Sequence, residues 1–161
     1  MSITLQEFEN ESWFKIPNHD SMRPFFMSIV SDSNHWMFIS SNGGMTAGRK
    51  NAQFALFPYY TVDKLMDLAH TTGSKSIFKV AKDGKTHVWE PFSKRDAGKY
   101  ETTRNIYKSR YGNKVMFEEV NADLKLTFRY QWNSSNLYGF VKKSSLINDS
   151  GQDRNVTVLD G

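Results

Sequence analysis

Gly43, Gly44 and Gly48 fall within "SNGGMTAGRKN" (residues 41–51), behind the apolar run "HWMFIS" and ahead of Arg49 and Lys50. A glycine-rich loop that follows a strand and ends in cations has the composition of a phosphate cradle. That chemistry requires lysine directly after the second of two glycines five apart, then Ser or Thr for magnesium. Gly43 and Gly48 have the separation, but Arg49 comes next, Lys50 is displaced by one and Asn51 takes the hydroxyl's place. A phosphate site also needs a following helix whose N-terminus faces the anion. Here "NAQFALFPYY", with Phe54, Phe57, Pro58, Tyr59 and Tyr60, opens no helix. The stretch reads as a glycine-rich connection between strands. The spaced glycines and strand–helix alternation of dinucleotide folds are absent as well, so no cofactor is expected.

Other chemistries find equally little. His19, His35, His70 and His87 lack the spacing that aims two imidazoles at one ion from one element. Glu118 and Glu119 are adjacent, and on a strand adjacent side chains point to opposite faces, so they cannot flank one glycosidic bond. There is no Gly-x-Ser-x-Gly elbow and no cysteine. No self-contained active site emerges. The tryptophans are Trp13, Trp36, Trp89 and Trp132. Trp132 falls on an apolar strand face and reads as core. Trp36 shortly precedes the glycine stretch, and Trp89 stands at a strand end before Glu90 and Pro91. These two are the candidates for a stacking face or an interface.

The elements that would position such groups are mostly strands. In "LKLTFRYQW", Leu124, Leu126, Phe128, Tyr130 and Trp132 alternate with Lys125, Thr127, Arg129 and Gln131, the period of a strand with one buried face. "SIFKVAKDGKTHVWEPF" reads as a hairpin turning at Asp83-Gly84. Further strands are expected in "RPFFMSIV", "HWMFISS", "YETTRNIYKS", "KVMFEEV", "LYGFVKKSSLI" and "NVTVL". "TVDKLMDLAHTTG" breaks the pattern. Val62, Leu65, Met66 and Ala69 recur at helical spacing between a Thr61 cap and Gly73. The expected fold is an all-β antiparallel sandwich, in one domain over 1–161, with one short inserted helix. "RNVTVLDG" reads as a strand entering a turn, which suggests a domain cut from a longer protein.

The 161 residues are 39% hydrophobic and 14% aromatic, enough for a packed core. The net charge is +4, with Lys94, Arg95, Lys99, Arg104, Lys108 and Arg110 close together. Asp96 and Glu101 dilute that field, which argues against nucleic acid as the partner. No apolar run reaches the ~20 residues of a membrane span. The N-terminus has no signal-peptide pattern, so a cytoplasmic location is expected.

The order of these features resembles a known family. An aromatic strand leads into "SNGG", "WEPF" closes a hairpin, and "NIYKSRYGNKVMFEEVNADLKLTFRYQWNSSNLYGFVKKSSLIN" runs on to "VTVLDG". This is similar to the N-terminal β-sandwich, the galactose mutarotase-like "supersandwich", of bacterial proteins related to cellobiose phosphorylase. The resemblance implies a non-catalytic domain that supports an (α/α)6 barrel, where glycosidic bonds are cleaved by phosphorolysis or hydrolysis. It implies that catalytic domain as partner, an oligosaccharide nearby, and a dimer in some members. By resemblance, Arg49, Lys50 and Asn51 reach for sugar hydroxyls or phosphate, with Trp36, or Trp89 and Glu90, beside them. Two other readings remain. One is a stand-alone mutarotase-like epimerase, whose acid and base would have to be groups such as His87 and Glu90. The other is a basic β-domain that binds nucleic acid.

Overall fold

The computed structural model describes residues 3–56, 59 and 61–161, and for Val62 the backbone alone. Phe57, Pro58, Tyr60 and the Val62 side chain, which the sequence reading used, lie outside the described residues.

The chain is all-β and antiparallel, as its alternation requires. Its strands are β1 (Thr4–Phe8), β2 (Glu11–Pro17), β3 (Phe26–Ile29), β4 (His35–Ser40), β5 (Met45–Arg49), β6 (Ser76–Lys82), β7 (Lys85–Trp89), β8 (Thr102–Ser109), β9 (Lys114–Asn121), β10 (Leu126–Ser135), β11 (Gly139–Asn148) and β12 (Val156–Asp160). One layer is a six-stranded sheet in the order β1-β2-β8-β9-β10-β11. Two three-stranded sheets, β3-β4-β5 and β12-β6-β7, supply the rest. The core joins all three: Ile39 and Met45 from one small sheet, Phe78 and Trp89 from the other, Phe117 and Phe128 from the large one.

Local chemistry sets the turns. Asp83 and Gly84 both have positive φ, as a two-residue hairpin connection demands, and Lys82 pairs with Lys85 across it. Leu126, Phe128 and Tyr130 are buried on the core face, as the alternation foretold, and Trp132 packs half-buried beside them. The strand starts at Leu126 rather than Leu124, because Lys125 takes φ 52° and breaks the extended run.

Three expectations need correction. Asn42–Asn51 is not one loop. Only Ser41–Gly44 turns, and Met45–Arg49 pairs residue by residue with β4. Gly43 through Gly48 are buried. The inserted helix is two, α1 (Val62–Asp67) and α2 (Ala69–Thr72), parted at Leu68. The side-chain cap by Thr61 is not made; its hydroxyl bonds the Asp63 carboxylate at 2.6 Å instead. Beyond these, the acidic N-terminal stretch, which carried no strand expectation, forms the β1–β2 hairpin. It turns on Glu9 and Asn10, both at positive φ.

Candidate functional site

The glycines of "SNGGMTAGRKN" are there for packing. A Cβ on Gly44 would collide with the Leu65 carbonyl oxygen of α1, and one on Gly73 would stand 2.7 Å from the Gly43 carbonyl oxygen. Asn42 Nδ2 donates to the Met66 carbonyl at 2.7 Å, and Met45 N donates to Thr72 Oγ1 at 3.0 Å. The β4–β5 turn and the helical insert are therefore locked together at backbone contact. That turn and the end of the insert border a cavity of about 270 Å³.

Several segments meet at this cavity. Ser41–Gly43 and the end of α2 with Ser74 and Lys75 form one wall. Phe92, Phe117 and Tyr130 form an aromatic wall, in which Phe117 and Tyr130 stack at 4.9 Å and 7° while Phe92 meets Tyr130 edge-on at 5.4 Å. Burial drives the Tyr130 phenol pKa upward, so it stays protonated. His19 and Asp20 come from a short 3-10 turn after β2, tied to β8 by a bond from Asn18 N to Asn105 Oδ1 at 3.3 Å. Lys94 and Arg104 complete the rim.

One carboxylate holds the aromatic and cationic sides in place. Glu119 is 1% exposed. It accepts from Trp89 Nε1 at 2.7 Å, from Phe92 N at 2.6 Å and from Arg104 Nε at 2.7 Å. Arg104 also donates to the Ser93 carbonyl at 3.3 Å. The "WEPF" turn and the arginine are thus two arms of one buried anchor, which satisfies the rule that a buried charge be paired and hydrogen-bonded. His19 differs. It is buried, and its Nε2 has no hydrogen-bond partner. Desolvation lowers its pKa to about 4, with Arg104 adding to the shift and Asp20 opposing it, so the imidazole is neutral near pH 7.

The lining of the cavity is aromatic and cationic. Lys75 and Lys94 line it beside the Glu119-paired Arg104, and among the described lining residues the one carboxylate is Asp20. Among the described residues no group of three or more His, Asp or Glu is placed to hold a metal ion.

None of the six sequence candidates lines this cavity. Arg49, Lys50 and Asn51 stand at the far end of β5 from the turn, where His35 pairs with Arg49 and Lys50 N donates to Asn34 O. Both cations are exposed; Lys50 Nζ lies 5.6 Å from the Phe54 ring, and Asn51 caps a 3-10 turn through Gln53 N. Trp36 is near them, half-buried against Gly48, Phe38 and Tyr59. Trp89 corrects its own expectation: it is 1% exposed, its indole N–H is spent on Glu119, and it offers no face to a ligand. Glu90 is paired with Arg95 at 2.5 Å. The basic stretch is also largely engaged, with Arg95 on Glu90, Lys99 on Asp96, Arg104 on Glu119 and Lys108 on the carbonyls of Ser28 and Gly112.

Of the cavity residues, the sequence reading weighed His19 only as a metal ligand and Arg104 only as part of a basic stretch, and it gave Asn42 and Phe92 no site role. "WEPF" and Asn42-Gly43 did register as motifs, but nothing along the chain tied them to each other. Neither a protein-family model nor a curated protein matches this sequence.

Proposed function

We propose that this chain is a non-catalytic β-sandwich module of a carbohydrate-active protein, and that the cavity beneath the Asn42-Gly43 turn holds a phosphorylated sugar or inorganic phosphate. The carrying observation is that Lys75 and Lys94, together with the Glu119-paired Arg104, line the cavity against one lining carboxylate, Asp20, over the wall of Phe92, Phe117 and Tyr130. An anionic group gains from the cations, and the apolar face of a sugar ring gains from the aromatic wall. The cavity volume of about 270 Å³ suits one small molecule. The carbohydrate setting, and a catalytic domain as the module's partner, rest on the sequence resemblance.

The test is a nuclear magnetic resonance titration of the isotopically labelled chain with inorganic phosphate, glucose and glucose 6-phosphate. Phosphate and the sugar phosphate are expected to move the amide signals of Asn42, Gly43, Ser74 and Lys75. Glucose alone should move them less. Replacing the two lysines outside the Glu119 anchor, as Lys75→Ala/Lys94→Ala, should weaken the response about tenfold, the loss of roughly 1.4 kcal/mol of binding. Unmoved signals at these amides at roughly 10 mM ligand, beyond the weak end of specific binding, defeat the reading.

A further inference from the structure

A second concavity lies on the opposite face of the six-stranded sheet, with a volume of about 720 Å³. It is built from the polar side of the same alternating strand whose apolar side forms the core. Three successive cross-strand rungs make its wall: Lys114–Asn133–Val141, Met116–Gln131–Lys143 and Glu118–Arg129–Ser145. Rungs on one face are about 7 Å apart, so the three span about 14 Å along β10. The β1–β2 hairpin reaches over this face. Phe8 lies 5.1 Å from the Arg129 guanidinium, Glu11 bonds Lys114 at 2.5 Å, and Glu9 at the hairpin turn bonds Lys143 of β11 at 2.9 Å. The two edges of the sheet are thereby drawn towards each other over a groove.

The charges of this groove are spent. Lys114 is matched by Glu11, Lys143 by Glu9, Lys142 by Asp160, and Arg129 by the buried Glu118. Gln131, Asn133 and Ser145, half-buried along the wall, bring neutral donors and acceptors. The floor is apolar, with Trp13 and Met116 against Phe8. Trp13 is 3% exposed and its Nε1 has no hydrogen-bond partner. An orphan buried donor of this kind calls for an acceptor. The turn above it is held by the exposed Glu9–Lys143 pair, a contact that costs little to shift.

We infer that this groove binds a neutral oligosaccharide. Side-chain amides and a hydroxyl match the paired donor and acceptor character of sugar hydroxyls. Phe8, half-buried at the groove, offers an aromatic contact to the C–H face of a ring, and the orphan indole N–H of Trp13 calls for a ring or hydroxyl oxygen. A polyanion meets no uncommitted cation here, so net charge is selected against. The groove stands on its own residues and does not depend on the anion cavity, with which it shares none.

The experiment uses the intact chain with cellohexaose and maltohexaose as neutral probes and an oligogalacturonate as the acidic one. Calorimetry gives affinity, and the Trp13 indole N–H signal, assigned with Trp13→Phe, reports the site. Saturable binding of a neutral probe, little changed between roughly 0.05 and 0.5 M salt where charge contacts are screened, supports the inference when the indole signal moves. Gln131→Ala/Asn133→Ala, and separately Ser145→Ala, should then weaken binding, the double variant by about tenfold, while phosphate still moves the cavity amides. The inference is overturned by no binding of either neutral probe, by equal affinity in all variants, or by preference for the oligogalacturonate. Failure of the neutral probes beside an intact phosphate response rejects the groove alone.

Discussion

Gly44 and Leu65 touch through their backbones: the Gly44 α-carbon lies so close to the Leu65 carbonyl oxygen that no side-chain carbon fits between them. A Cβ there would also stand 3.1 Å from Ala69 N. This contact decides how α1 sits on the β4–β5 turn, and the turn in turn forms a wall of the cavity. Gly44→Ala must push the helix away, and overpacking of this kind costs about 3 kcal/mol. Gly84→Ala is the control, since Gly84 has φ +72° and nothing within 4 Å. There the expected cost is only the left-handed backbone of an alanine, about 1 kcal/mol. Urea unfolding of the two variants measures both. Equal losses would mean that the Gly44 contact is not tight in solution.

The same contact shows what could be read along the chain and what could not. The core face Leu126-Phe128-Tyr130 and the Asp83-Gly84 turn were legible because their signals are local, a period of two and a pair suited to positive φ. β5 was not. "MTAGR" has little strand propensity, and its Gly48 is required by the Trp36 ring, where a Cβ would meet Cζ2 at 2.5 Å. That cause lies on the neighbouring strand. Arg49 was a reasonable candidate by composition, yet five residues of extended chain, about 17 Å, separate it from the turn at Gly44. His19, Arg104 and Phe117 meet through the register of β8 and β9 and a 3-10 turn after β2. No spacing in the sequence encodes that meeting. Trp89 looked available because it ends a strand; the acceptor that buries it, Glu119, is 30 residues on.

Glu119 is expected to be the most sensitive polar residue in the chain. Glu119→Gln keeps the shape but removes the charge opposite Arg104. It also turns an amide N–H₂ towards at least one of the three donors now bonded to the carboxylate. Breaking a buried pair by removing one partner costs about 3–5 kcal/mol. Glu90→Gln, which loosens only the pair with the exposed Arg95, should cost less than about 1 kcal/mol. Chemical denaturation distinguishes the two. A Glu119→Gln protein as stable as the parent would show that the carboxylate does not anchor the "WEPF" turn.

His19 makes folding sensitive to acid. Its folded-state pKa is lowered from 6.5 to about 4, first by burial and then by Arg104, with Asp20 opposing. The unfolded chain takes up a proton near pH 6.5 while the folded chain resists until about pH 4. Stability from the neutral imidazole is therefore full above pH 6.5 and is lost as pH falls through that window. The total is about 3 kcal/mol, at 1.36 kcal/mol for each unit of pKa. Glu118 adds to the loss at lower pH. Burial raises its pKa, but bonds from Asn105, Arg129 and Tyr107 outweigh burial and hold it below the ordinary value. Unfolding free energies between pH 7.5 and pH 4.5, roughly the span of the two His19 values, should fall steeply in the parent chain. In His19→Gln the fall over the upper part of that range should largely disappear, leaving the carboxylate contribution below about pH 5. The same steep slope in both proteins would place the acid sensitivity elsewhere than the cavity.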